Sequence, residues 1–115
     1  MNCINSLITG LIDQKYHKFI VYAGQRPYTP GEQVIVRFPN GYGASIIKGL
    51  GTYGLELAVL KFTGSNPYDF DLIPYVPVTE DVLGYLDSRT LNRALKKIKK
   101  IDKYRRLIKW LIGKR

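Results

Sequence analysis

Apolar residues near the start of the chain recur at spacings of three and four, which is the pattern of one face of an amphipathic helix. The residues are Ile4, Leu7, Ile8, Leu11 and Ile12. They predict a helix of about three turns whose apolar face must be covered by a sheet or by another helix.

Residues 17–23 are rich in aromatic and β-branched side chains and predict a strand, which ends at a Pro/Gly-rich loop, 24–31.

The central block carries the clearest structural signal. Residues 33–38 alternate well enough for a strand, and Asn40-Gly41 follows, the dipeptide that best supplies the positive φ of a tight hairpin turn. Residues 42–48 predict the returning strand, and the continuous apolar run 55–62 predicts a strand buried on both faces. We expect these three strands to form an antiparallel meander.

The last third of the chain changes from strand to helix. Residues 68–76 predict an edge strand, because Pro74 and Pro77 cannot donate ladder hydrogen bonds. Thr79 is a candidate N-cap for a helix through Leu86, and Asp87-Ser88 breaks that helix and can cap the next one.

From Leu91 onward, apolar residues keep a helical rhythm for about six turns. A helix unbroken to Ile112 would be about 35 Å long, more than a small domain can cover, so its last turns must project or fold back after a kink. The sequence therefore predicts one α+β domain over residues 1–115: an antiparallel sheet of four or five strands with an N-terminal helix and a long basic C-terminal helix. Residues 88–115 are the basic amphipathic helical extension of that domain.

Charge is distributed unevenly along the chain. Residues 88–115 hold 12 of the 18 lysine and arginine residues and one acidic residue, Asp102, whereas residues 1–87 hold six basic and eight acidic residues. Such an asymmetry indicates a polyanionic partner, either nucleic acid or an anionic membrane surface.

Seven basic side chains lie largely off the apolar stripe of the predicted C-terminal helix. A merely solvated helix face is one interpretation, but such a face usually mixes charges of both signs to gain i,i+4 pairs. The near-absence of acids favours a nucleic-acid-binding face, with an affinity that falls steeply as salt rises. The candidate contact residues are Arg89, Arg93, Lys96, Lys97, Lys100, Lys103 and Arg106.

The apolar face of the same helix is a second candidate surface. It can pack on the protein's own sheet, pair with a second copy of the chain, or contact a host protein. With the single tryptophan at its end it can also lie in the headgroup region of an anionic membrane, which we favour less. The candidate interaction residues are Ile101, Tyr104, Ile108, Trp110 and Leu111.

Patterns typical of enzymes are sparse. Gly49-x-Gly51-x-x-Gly54 matches a phosphate-cradling spacing, but a strand follows it where a dinucleotide fold needs a helix, so we interpret it as a hairpin loop. Cys3 and His17, the only cysteine and histidine, do not build a nucleophile and base pair or a typical transition-metal site. We interpret His17 as a strand residue, and we expect no enzymatic activity, no cofactor and no metal.

Three segments carry a resemblance to a known group of proteins. They are residues 38–47 (FPNGYGASII), 53–60 (YGLELAVL) and 77–86 (PVTEDVLGYL). This pattern resembles small bacteriophage proteins of uncharacterised function over about residues 34–98, and the N-terminal helix and the cationic tail depart from it. The resemblance implies a phage origin and a location in the host cytoplasm, and it supplies no reaction and no binding residues.

Taken together, these features lead us to expect a non-enzymatic phage-type accessory protein. Its basic C-terminal helix would bind nucleic acid or a host complex that processes nucleic acid, and inhibition of a host defence is a further hypothesis. The alternatives are a protein-interaction or homo-oligomerisation module, with a homodimer as one form, and peripheral membrane binding.

Overall fold

The computed structural model describes residues 7–52, 54–72 and 86–101. Within these residues the chain forms a five-stranded antiparallel sheet whose strands lie side by side in sequence order. The strands are β1 (Ile20–Gln25), β2 (Gly31–Arg37), β3 (Tyr42–Gly49), β4 (Glu56–Phe62) and β5 (Phe70–Leu72). The predicted meander and the α+β class are confirmed.

Three helical segments accompany the sheet in the described part of the chain. They are α1 (Leu7–Leu11), a 3₁₀ helix (Gln14–Phe19) and α2 (Ser88–Lys99). α2 ends at Lys99 and has Lys100 as its C-cap, so the described helix has 12 residues. A helix unbroken from Leu91 to Ile112 is therefore not formed, since α2 ends at Lys99. The part predicted beyond residue 101, and the helix predicted from Thr79, lie outside the described residues.

The hairpin between β2 and β3 turns at Asn40-Gly41, as predicted. Gly41 has a φ of 87°, a conformation that glycine adopts without steric penalty. The Phe38 N–H donates to the Tyr42 carbonyl over 2.8 Å, which closes the turn and pairs the strands that follow. Because the turn fixes the register, Val34, Val36, Ala44 and Ile46 all reach the same face of the sheet.

The strand predicted over residues 17–23 is partly wrong, because residues 14–19 form the 3₁₀ helix and the strand begins only at Ile20. Tyr16 and Phe19 explain the difference. In a 3₁₀ helix, side chains three apart lie on one side, and both rings meet Phe38 edge-on at centroid distances of 5.9 and 5.2 Å. In a strand the two rings would point to opposite faces. His17 is therefore a residue of the 3₁₀ helix, and its Nε2 donates to the Ile12 carbonyl over 2.8 Å.

The main core lies between one face of the sheet and the helices. Ile8 and Ile12 are buried there as the N-terminal pattern predicts. Leu7, which belongs to the same pattern, is 72 % exposed and lies outside the core. α2 contributes Leu91, Ala94, Leu95 and Ile98, all fully buried. α2 is therefore part of the core of the sheet domain. A smaller cluster, built on Ile35, Leu60 and Phe62, lies on the opposite face of the sheet.

The close approach of β2 and β3 at Gly43 gives a stability prediction. A Cβ atom at this position would lie 1.9 Å from the Val36 carbonyl oxygen and 2.7 Å from Phe62 Cε2. We expect Gly43→Ala to lower the free energy of unfolding by about 3 kcal/mol, because the backbone of a central strand must move. Urea unfolding of the parent protein and the variant measures this loss of stability. Gly10→Ala is the control, because nothing lies within 4 Å of a Cβ there; equal effects of the two substitutions would contradict the prediction.

Candidate nucleic-acid interface

α2 begins at a capping box. The Asp87 carboxylate accepts a hydrogen bond from the Thr90 N–H over 2.8 Å, and the Asp87 N–H donates to Thr90 Oγ1 over 3.0 Å. These bonds satisfy backbone donors that the first turn of a helix leaves without partners. The prediction that Asp87-Ser88 caps the second helix is confirmed, and the start of α2 is fixed at this point.

The basic residues of α2 lie on its solvent side. The candidate contact residues that are exposed are Arg89, Arg93, Lys96, Lys97 and Lys100. The four buried residues of α2 face the sheet, so the described helix separates an apolar from a cationic side as the periodicity indicates. We call these five residues the α2 basic face. Lys103 and Arg106 lie outside the described residues.

Polar contacts tie the first half of α2 to the segment between α1 and the 3₁₀ helix. The Asn92 side chain donates to the Leu11 carbonyl over 2.9 Å and accepts a hydrogen bond from the Asp13 N–H over 2.8 Å. The Ser88 hydroxyl also donates to the Leu11 carbonyl, over 2.8 Å. Since directional bonds of this kind allow little rotation or sliding, they set the position of α2 relative to the 3₁₀ helix.

A second polar contact fixes the other end of α2. The Asn40 amide nitrogen lies 3.0 Å from the Ile98 carbonyl oxygen and 3.2 Å from that of Lys99, and it also donates to the Ile101 carbonyl. Carbonyl groups in the last turn of a helix lack the usual i+4 N–H partner, and here the hairpin turn supplies a side-chain donor beside the Ile101 N–H, which bonds the Ile98 carbonyl over 3.1 Å. The Asn40 side-chain oxygen accepts from the Tyr42 N–H over 2.9 Å, so one side chain joins the hairpin to the helix end.

This docking creates a cleft between the 3₁₀ helix and the end of α2. The cleft has a volume of about 330 Å³ and is lined by Lys15, Tyr16, Lys18, Phe19, Lys96, Lys99 and Lys100. None of these lining residues is acidic. We call this site the lysine cleft. The sequence interpretation identified Lys96 and Lys100 but missed Lys15, Lys18 and Lys99, since no local pattern shows that residues 15 and 99 are neighbours.

Aromatic rings hold three of the cleft lysines near its walls. The ammonium groups of Lys18 and Lys99 lie 5.3 and 5.8 Å from the centroid of the Phe19 ring, and that of Lys15 lies 5.3 Å from the centroid of Tyr16. An exposed cation–π contact contributes about 0.5–1 kcal/mol. These contacts keep the positive charge of the three lysines at the cleft.

The candidate interaction residues are divided by the described range. Ile101 is half-buried and packs against the core of its own chain. Tyr104, Ile108, Trp110 and Leu111 lie outside the described residues. No helix in the described part of the chain is long and apolar enough to cross a bilayer.

The glycine-rich segment between β3 and β4 is a hairpin loop, as interpreted from the sequence. Gly51 and Gly54 have φ values of 84° and 66°, and the loop leads into β4. The Thr52 hydroxyl accepts from the Gly49 N–H over 3.0 Å and lies 2.8 Å from the Gly54 carbonyl oxygen, so the loop satisfies part of its own backbone.

Comparison of the chain with protein-family models, curated proteins and solved structures finds no match. The resemblance to phage proteins therefore stays a prediction. The residues that the structure describes contain no group of three or more His, Cys, Asp and Glu side chains that could hold a metal ion. The lysine cleft and the α2 basic face are the features on which a function can be argued.

Asn40 gives a prediction about the site. We expect Asn40→Ala to lower the free energy of unfolding by about 2 kcal/mol, because the carbonyls at the end of α2 lose a side-chain donor in a partly buried position. Urea unfolding measures the loss. The control is Asn66→Ala, which removes a side-chain hydrogen bond to the Tyr68 N–H in an exposed turn and should cost about 0.5 kcal/mol. A loss at Asn40 no larger than that at Asn66 would contradict the helix-end role.

Asp87 gives a pH-dependent prediction. The hydrogen bond from the Thr90 N–H lowers the pKa of the Asp87 carboxyl below its ordinary value of 3.8. A lowered folded-state pKa adds stability that is fully present above the unfolded-state pKa and is lost as pH falls through the folded-state pKa. When the pH falls from about 7 to about 2.5, we expect the melting temperature of the parent protein to drop further than that of Asp87→Asn. Asparagine caps the helix without titrating, so the variant does not lose this contribution. A difference that stays constant across this range would show that the cap does not titrate.

Proposed function

We propose that this protein binds nucleic acid through the α2 basic face, with the lysine cleft continuing the same cationic surface. The observation that carries the proposal is that basic side chains from two distant segments line one exposed site, where no described lining residue is acidic. Like charges brought together repel each other, and a polyanion removes that repulsion as it binds.

The length of the α2 basic face suits a phosphate backbone. Arg89 and Lys100 are 11 positions apart, which at 1.5 Å per residue is about 16 Å along the helix axis. One strand of a duplex presents a phosphate about every 3.4 Å along its axis, so the face runs beside about five phosphates. Contacts of this kind fix affinity and orientation and do not read base sequence.

Helix electrostatics explain only part of this charge. Lysines in the last turn, such as Lys96 and Lys99, complement the negative end of the helix dipole. Arg89 lies in the first turn, where the dipole disfavours a positive charge, although the nearby Asp87 carboxylate at the N-cap attracts it. The dipole therefore accounts for the lysines at the end of α2 and not for Arg89 or Arg93.

The wider biological role in this proposal comes from the sequence resemblance. We propose a non-enzymatic phage-type accessory protein that acts in the host cytoplasm on nucleic acid, or on a host complex that holds nucleic acid. Blocking such a complex would inhibit a host defence.

Charge substitutions test the proposal better than deletion of the C-terminal region, because α2 supplies buried core residues and its removal would unfold the sheet. The test is fluorescence anisotropy with labelled single- and double-stranded oligonucleotides over a salt series. The variant combines Arg89→Gln, Arg93→Gln, Lys96→Gln and Lys100→Gln. We expect binding at ~50 mM salt that weakens as salt rises, and a salt slope that falls by roughly one for each phosphate contact removed.

Lys48→Gln is the matched control for a single charge. Lys48 is exposed and lies opposite Glu32 in the strand register, at the end of the β2–β3 hairpin away from Asn40. The Lys48→Gln substitution should lower the affinity for oligonucleotides less than Lys96→Gln or Lys100→Gln does. Absence of binding at ~50 mM salt, or an equal effect of all three single substitutions, would overturn the proposal, because phosphate contacts are strong at low salt.

A further inference from the structure

The lysine cleft and the α2 basic face differ in shape and in chemistry. The α2 basic face is a convex row along one helix, and its first two cations are arginines. The lysine cleft is concave, and its five cations are all lysines that converge from the 3₁₀ helix and from the end of α2. A row of charge suits a linear polyanion, whereas a concave cluster suits one compact anionic group.

The side chains of the cleft favour a group of high charge density. A lysine ammonium is a compact point charge with three donors, unlike the planar fork of arginine. Three of the five ammonium groups rest over the rings of Tyr16 and Phe19, so little ordering remains for a ligand to impose on them. The cleft thus places several lysine side chains along the walls of one small volume.

The two ends of a nucleic-acid strand differ from its interior in the anion that they can carry. An internal phosphodiester has one negative charge. A terminal phosphomonoester has about −1.5 to −2 at pH 7 and three strong acceptor oxygens. The five lysines that line the cleft can therefore bind a terminal phosphate more strongly than an internal one.

The α2 basic face leads into the cleft. Lys96 and Lys100 belong to both surfaces, and they stand at the C-terminal end of the row. A strand that follows the row from Arg89 arrives at the cleft after about five phosphates. We propose that the lysine cleft binds the terminal phosphate of a nucleic-acid strand, an inference that rests on the proposed function because the strand reaches the cleft along α2.

The test compares oligonucleotides of one sequence that carry a 5′-phosphate, a 3′-phosphate or hydroxyl groups at both ends. One extra charge-assisted hydrogen bond predicts roughly tenfold tighter binding of one phosphorylated form at low salt. The triple variant Lys15→Gln, Lys18→Gln and Lys99→Gln should abolish this preference. All three residues are exposed, so the variant should fold, and its urea midpoint checks this.

Two controls separate a terminal-phosphate site from added charge alone. A hydroxyl-ended oligonucleotide longer by two nucleotides adds two phosphodiester charges and should gain much less affinity than the terminal phosphate gives. The double variant Arg89→Gln and Arg93→Gln should weaken the binding of all the oligonucleotides by the same factor. It should keep the preference for the phosphorylated form.

The outcomes distinguish the two proposals. Equal binding of phosphorylated and hydroxyl-ended strands, or a preference that survives in the triple variant, would overturn the terminal-phosphate site and leave nucleic-acid binding by α2 in place. Failure of every oligonucleotide to bind would overturn both. Selection of the 5′ or the 3′ form identifies which strand end enters the cleft.

Discussion

The packing of α2 on the sheet is the interaction on which the rest of this structure depends. Leu91, Leu95 and Ile98 are fully buried, and burying side chains of this size stabilises a fold by about 2 kcal/mol each. Burial of this stripe turns the opposite, cationic side of the helix towards solvent. The same packing also brings the end of α2 beside the 3₁₀ helix, so the core determines where the positive charge collects.

Two asparagines convert this apolar packing into a defined geometry. Apolar burial has no direction, and alone it would tolerate some rotation of α2 about its axis. Asn92 joins α2 to the end of α1, and Asn40 joins the β2–β3 turn to the C-terminal carbonyls of α2. Their contacts lie at opposite halves of a 12-residue helix, so they set both its rotation and its position along the sheet.

Features that depend on local pattern were predictable from the sequence, and features that depend on distant contacts were not. The meander follows from alternation and from Asn40-Gly41, and the two sides of α2 follow from its periodicity. The 3₁₀ helix was missed because Phe38, which lies about 20 positions away, decides the conformation of Tyr16 and Phe19. The lysine cleft was missed for the same reason, since it joins lysines at positions 15 and 99.

Because five lysines line one cleft, the stability of the fold is linked to the anions in the surrounding solution. Five lysines line a cleft of about 330 Å³, and the repulsion between those of the 3₁₀ helix and those of α2 arises when the two elements dock. An anion that enters the cleft binds the folded chain and not the unfolded one, so its binding free energy adds to the stability of the fold. Under the proposed function, the folded population of this protein would therefore rise with the concentration of the anion that the cleft binds.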